Sequence, residues 1–511
     1  MKKIFTILLL FGGLLMSGCS DWLDVQPKDK QSTDMYWESS EDVEAILAQG
    51  YSRLRDCVPY IIDWGELRGS SVIVPVRSTP AGQIQNFTVL PSTSAVQWGT
   101  FYQVIGMANA VLKYAPGVIE KDESYYQSQM DSHLTEAYFL RGLSYLYLVR
   151  NFREVPLITE PYVDDAMPTD VPKSSEVEME QIKSDVRAAL ATDAAKETFN
   201  GTWATKGRAT KWALYALMAE TCLWAEDYEE CVTYADYLIN STAPIRPVFM
   251  STPGQWYNIF YPGNSNESIF EIQYDETNYA QGGGSPSKLL PYGSDVTVNT
   301  YMYSEPMTIR LINEFYQNQD EVNRTYYGSF AGITYTSYPE NGIIWKYSGL
   351  GVADREAVRT ILDANYIIYR MADVMLMKAE ALIRIGGSAN WTEALAIINR
   401  IRERSELRPR DEVSAENINE ATEEILLEML LDERDMEFAA EGKRWYDLLR
   451  YGKQQNFKYK SRFKILIMEN NLTAESRWLG SVLDNDNAWY LPIPASDIST
   501  NSLLKQNPYY E

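Results

Sequence analysis

Carboxylates, arginines and tyrosines are the chemistry-bearing residues this chain has in quantity. Seventy acidic side chains face 46 Lys and Arg, and 36 tyrosines are spread over 511 residues. Paired carboxylates can serve as general acid and base on a glycosidic bond. Aromatic rings can instead cover the apolar C–H face of a sugar, while neighbouring amides, acids and arginines bond its hydroxyls. Other chemistries are poorly supplied. His133 is the single histidine, which argues against a histidine metal cluster and against a Ser-His-Asp triad, and its place at the head of a helical stretch gives it a structural role. Beyond Cys19 only Cys57, Cys222 and Cys231 remain, an odd set that argues against a disulfide framework. Cys222 and Cys231 can meet across one hairpin or stay two small buried thiols. Asp484-Asn-Asp-Asn487 offers oxygens at a calcium-like spacing, against the plainer alternative of a polar turn. No cofactor is implied. Arg434-x-x-Glu437-x-x-x-Glu441 and the run to Arg450 crowd opposite charges along one helical stretch. Such a network suits holding a fold together, since buried charges need several partners each to offset desolvation.

The elements that position these residues are helical. Tyr366 to Ile385 is expected to be a helix burying Ile368, Met371, Ala372, Met375, Ala379 and Leu382, with Arg370/Asp373 and Glu380/Arg384 paired on its outer face. Gly386-Gly387 stops it, and Asn390 with Glu393 is expected to cap a second helix that buries Ala394, Ile397, Ile398 and Ile401. The unit recurs: Met218-Ala-Glu220 matches Lys378-Ala-Glu380, and Tyr228-Glu-Glu-Cys231 matches Trp391-Thr-Glu-Ala394. Repeated hairpins of this kind resemble tetratricopeptide repeats, which stack because one pair cannot bury its own apolar face. Two further, opened pairs give four hairpins, at residues 40–114, 133–194, 207–240 and 366–404. Near the end, Glu428 to Arg450 is expected to be one long helix.

Residues 241–350 break the pattern. The stretch up to Gly349 is rich in Gly, Pro, Asn, Ser and Thr and holds 13 of the tyrosines. A loop-rich block this long inside a folded chain is either functional or disordered, and its aromatic content argues against disorder.

Lys2-Lys3, the apolar run Ile4 to Met16 and Met16-Ser-Gly-Cys19 form a lipobox-like start. Residues 1–18 are therefore expected to be a signal peptide, with Cys19 the lipid-bearing first residue of a single domain over 19–511. Acyl chains at about 0.8 kcal/mol per buried CH2 make a lasting anchor. The net charge of −24 disfavours nucleic acid and acidic polysaccharide and favours neutral ligands.

Taken together, these stretches resemble the SusD/RagB family of surface nutrient-binding lipoproteins. The residues that carry the resemblance are Tyr369 to Ala381, Arg434-x-x-Glu437-Phe-x-x-Glu441-Gly-Lys-Arg-Trp445-x-Asp447-Leu-x-Arg450, Leu491-Pro-Ile-Pro494, Asn507-Pro508, Trp64-Gly-Glu-Leu-Arg68 and Tyr102-x-x-Ile105-x-x-Ala108-Asn109. The resemblance implies a mainly α fold in which four interrupted hairpins form a right-handed superhelical scaffold and the insert carries the ligand face. It implies a binding protein rather than an enzyme, lipid-anchored in the outer membrane. Such a protein captures oligosaccharide, or in some members peptide, for a SusC-like TonB-dependent transporter. By position, it also implies ligand contacts from the loop after the first helix and from the insert: Trp64, Arg68, Arg77, Phe87, Tyr292, Tyr301, Tyr303, Tyr326, Tyr335 and Tyr338. Trp98, Trp345 and Tyr347 flank regular elements and are expected in the core. The rival is an α/α-toroid glycoside hydrolase, which needs about six similar hairpins.

Overall fold

Antiparallel helix pairs, stacked one on the next, make the frame. The computed structural model of the protein describes residues 36–161, 172–290, 301–316, 324, 342, 344–350, 357–411, 413, 422–471 and 476–511. In chain order its main elements are α1 (Ser40–Asp56), α2 (Val58–Glu66), β1 (Val72–Ile73), α3 (Pro80–Gln85), α4 (Gly99–Val118), α5 (Gln127–Phe152), α6 (Ser175–Ala191), α7 (Thr202–Gly207), α8 (Lys211–Trp224) and α9 (Tyr228–Ile239). They continue with β2 (Ser268–Ile272), β3 (Met302–Tyr303), α10 (Glu305–Tyr316), β4 (Tyr366–Arg370), α11 (Met371–Ile385), α12 (Ser388–Arg404), α13 (Thr422–Glu437), α14 (Arg444–Phe457), α15 (Lys460–Asn470) and α16 (Ser476–Asp484).

Helix α1 packs on α4, α5 on α6, α8 on α9 and α11 on α12, and the pairs meet through α4–α5, α6–α8 and α9–α11. Local sequence sets each element. Helix α1 starts at Ser40 with Ser39 as its N-cap, and Asp42 accepts from the Ser39 N–H at 2.9 Å. Its inner stripe is Val43, Leu47, Gly50 and Leu54. Gly50 matters because a Cβ there would lie 3.1 Å from Leu140 of α5. The matched glutamates of the third and fourth pairs share a role. Glu220 accepts from Arg150, and Glu380 from Arg450 at 2.7 Å. His133, inside α5, is buried between the Tyr125 hydroxyl at 2.9 Å and Glu44 at 3.1 Å, and the His133 hydrogen bond, with Arg208 beside it, holds the Glu44 carboxyl down at about 2. Cys57, Cys222 and Cys231 are free and buried.

Four local expectations are corrected. Tyr366–Arg370 is a strand, not the first turn of a helix; it pairs antiparallel with β2, Ile272 opposite Tyr366 and Ser268 opposite Arg370. Aromatic and β-branched residues suit a pleated, buried surface, and a partner strand from the insert overrides the helical period. Arg370, Asp373 and Glu380 are buried, not on an outer face, because the later helices cover α11. Asn390 does not cap α12: the helix starts at Ser388 after Gly386 and Gly387 (φ +82° and +90°), and the Asn390 amide donates to Gly386 O at 2.8 Å. The long C-terminal helix is two helices, α13 and α14, broken at Phe438–Lys443, where Ala440 and Gly442 take φ +64° and +73°.

The charged cluster sits under that break and is wholly buried. Arg370 donates to Glu437 at 2.6 Å, to Glu267 at 3.0 Å and to Glu441 at 2.9 Å. Arg404 joins Glu267 at 3.2 Å and also reaches Glu437. From the insert, Arg324 reaches Glu314, Glu433 and Glu437, and Lys346 reaches Glu441 at 2.9 Å. These arginines hold the Glu437 carboxyl far below the usual carboxylate range despite its burial. The network thus pins the insert to the frame. Trp98, Trp345 and Tyr347 are buried. Among the described residues no helix is long and apolar enough to cross a membrane.

Candidate functional site

The irregular face begins where α2 ends. The buried Glu66 carboxylate accepts the Gly442 N–H at 2.5 Å and the Lys443 N–H at 3.3 Å, and burial pushes its pKa up to about 8. Gly65 lies so close to Gly442 O that a Cβ would collide with it. The loop after α2 is therefore fixed onto the α13–α14 turn. From there β1 pairs antiparallel with β3, Val72 opposite Tyr303 and Ile73 opposite Met302. The chain then turns at residues 76–79. The Gln85 side chain accepts from the Val74 N–H at 2.7 Å, and Thr79 caps α3 by accepting from the Gly82 N–H at 3.0 Å. Arg77 stands exposed on this turn. The loop is irregular yet held by these long-range and local bonds, which gives a fixed surface rather than a loose one.

Most of the ring candidates in this region are core, which corrects the sequence-based selection. Trp64 is fully buried: its indole donates to Ala95 O at 2.7 Å and stacks on Phe101 at 5.3 Å. Arg68 is 2% exposed. It donates to Trp489 O and to Asn151 Oδ1, each at 2.7 Å, and lies 4.4 Å over the Trp445 ring. Phe87 is buried edge-on against Trp445 at 5.8 Å. Tyr303 is buried beneath β1, and its backbone bonds Gly342 in both directions. Arg68 and Phe87 do come together on Trp445, and Arg68 also donates to Trp64 O at 3.3 Å, but as the floor of the face. The reason is shared. Trp64 and Arg68 are one helical turn apart on the inner side, and the C-terminal strip supplies the acceptors an arginine needs to be buried.

Tyr301 is half-buried, and its hydroxyl donates to Asp63, whose carboxyl burial pushes up to about 7. Tyr292, Tyr326, Tyr335, Tyr338 and Cys19 lie outside the described residues. Arg77 is thus the described candidate that is exposed.

The sequence reading passed over Trp478. It lies on α16, which packs on α15, and α15 in turn meets α10 beside β3. Trp478 is 37% exposed while Leu479, Val482 and Leu483 of the same helix are buried. The signal was available: an aromatic just off the inner stripe of an amphipathic helix faces out. Asp484 to Asn487 forms a turn whose polar groups have protein partners. Lys464 pairs with Asp484, and Arg153 reaches Asn487 at 3.2 Å and Asp486 at 3.7 Å.

A rigid helical frame supporting a packed, irregular face, with its central acids neutralised by arginine, defines a binding scaffold. The chain belongs to the SusD family of starch- and glycan-binding proteins. The SusD family model matches residues 343–510, and a model described as starch-binding associating with outer membrane matches residues 21–223. A SusD-like protein of Formosa agariphila is 30% identical over 506 residues, covering 89% of this chain and 93% of the relative. A crystal structure of a SusD superfamily protein from Bacteroides thetaiotaomicron superimposes with TM-score 0.71 at 21% identity, covering 93% of this chain and 99% of that one. A laminarin-binding SusD-like protein gives TM-score 0.69 at 20% identity, covering 93% and 100%.

Proposed function

We propose that this protein is a surface lipoprotein, anchored through Cys19, that captures neutral oligosaccharides on the face around residues 72–97 and β3. It then delivers them to a SusC-like TonB-dependent transporter. The observation that carries the reading is the bonded loop that presents Arg77 just after β1, the strand paired with β3 of the insert. A sugar needs a pre-formed array of this kind, because ordering loose loops around a polyol would use up most of the modest binding energy. The strongly acidic chain supports a neutral ligand, since it repels anions at long range. The stacked helix pairs present the broad side suited to the transporter.

The central acids support binding over hydrolysis. Glu267, Glu433, Glu437 and Glu441 are buried and tied to arginine or lysine, whereas a glycosidase needs two carboxyl groups open to its substrate. Isothermal titration against neutral glycans and against peptides tests the ligand class. Tight peptide binding without glycan binding turns the reading to a peptide carrier, and new reducing ends after incubation would make it an enzyme. Co-purification from detergent-solubilised outer membranes tests the transporter.

A further inference from the structure

Across α14 from that face, a cleft of about 430 Å3 opens between the end of α5, the first turns of α6, the α8–α9 turn and the end of α14. Its size is that of a small-molecule pocket. Its rim is unusual in backbone. Arg153 sits at φ +67°, ψ −56°, Glu226 at φ +67°, and Gln455, Asn456 and Phe457 follow one another at φ +50°, +56° and +61°. Each is a non-glycine residue in a region that L side chains avoid, and such positions cluster at ligand clamps. The rim is held by long-range bonds: the Gln455 N–H donates to Glu226 at 3.0 Å and the Gln454 amide to Leu223 O at 2.6 Å. Held so, Phe457 is propped edge-on by Trp489 at 5.6 Å and keeps 37% of its surface open. The Lys453 ammonium lies 4.8 Å from the Trp224 ring and, among the described residues, has no ion pair or hydrogen bond.

We propose that this cleft is a second carbohydrate subsite that takes one neutral sugar residue, stacked on Phe457 and hydrogen-bonded by Lys453 and Arg153. The inference rests on the proposed carbohydrate reading for its ligand class. The Lys460 ammonium lies 5.5 Å from the Phe457 centroid, so the ring offers one part-exposed face, and that face with cationic donors that lack or share their acceptors matches the two sides of a pyranose. Five carboxylates against three cations line the cleft, which selects against charged acidic sugars. Arg153 also lines an adjoining cleft of about 540 Å3 that presents Asn487, Gln506 and Asn507, so a chain of more than one sugar can continue across it. Helix α14 separates the subsite from the main face. Trp445, under Arg68, and Lys453, in the cleft, lie about 12 Å apart along its axis.

The test uses the full mature chain labelled with fluorotryptophan, with the Trp224 resonance assigned by Trp224→Phe. Laminarihexaose and maltohexaose are the probes, and glucuronate is the anionic control. The expected result is a saturable Trp224 shift with a neutral hexasaccharide and none with glucuronate. The apparent affinity should fall at least tenfold in both Phe457→Ala and Lys453→Met at unchanged melting temperature, and should be unaffected by Arg77→Ala. A silent Trp224, or a shift that survives in Lys453→Met, overturns the subsite. Calorimetric glycan binding with a silent Trp224 overturns the subsite alone, whereas no glycan binding by either method overturns the carbohydrate reading with it.

Discussion

Arg324→Met is the most informative single change, because Arg324 joins the insert to the frame. Its guanidinium donates to both oxygens of Glu314, at 2.7 and 2.9 Å, to Glu433 at 2.6 Å and to Glu437 at 3.0 Å. All four residues are buried. Methionine keeps most of the volume but takes four charge-assisted bonds from buried carboxylates. Breaking a buried ion pair from one side costs about 3–5 kcal/mol. An unfolding entropy of about 2.1 cal/mol/K per residue gives roughly 1 kcal/mol per degree for a chain of this length, so Tm should drop by about 3–5 °C. Glu437 keeps Arg370 and Arg404, so the frame should stay helical while β3 and α10 loosen. Thermal denaturation followed by circular dichroism, with mapped limited proteolysis, reads both effects. New cuts should fall in residues 241–350, and glycan affinity should weaken with them. Adding Glu314→Gln removes the charge that lost two of its bonds and should recover at least about 1 kcal/mol. A Tm within a degree of wild type, or no recovery in the double variant, refutes the reasoning.

Four further outcomes are expected. Glu66→Gln tests the buried carboxyl: a folded pKa of about 8, above the ordinary value, means stability is full at low pH and lost as pH rises toward 8. The Gln variant should therefore lack that part of the decline, read as a widening Tm advantage over wild type between pH 5 and 8. Trp64→Ala should cost about 3–5 kcal/mol as a core truncation, visible in denaturant midpoints, and weaken binding only through unfolding. Arg77→Ala should leave Tm unchanged and reduce glycan affinity about 10- to 100-fold by calorimetry, the worth of a charged hydrogen bond. Cys19→Ala should abolish labelling with a clickable fatty acid and release the protein from the membrane fraction.

The sequence by itself determined the frame. Gly386-Gly387 and the three-and-four spacing of apolar residues act within one or two turns of chain, so they are legible without knowing what packs where. The pairing of α11 with α12 follows from a two-residue turn, and the fold-holding character of Arg434 to Arg450 from charge density alone. The tertiary structure decided everything that depends on a distant partner. Tyr366–Arg370 became a strand because β2, nearly a hundred residues earlier, lies beside it. Arg68 went into the core because Trp489 O and Asn151 were there to accept its protons, while Arg77, nine residues on, found no such cover. Trp64 and Trp478 are the same residue type with opposite fates, one sealed under Phe101 and the other left open on α16. Composition counts rings, but whether a ring is floor or surface is set by which side of its helix the neighbouring elements cover. That covering is a long-range event that no local spacing encodes.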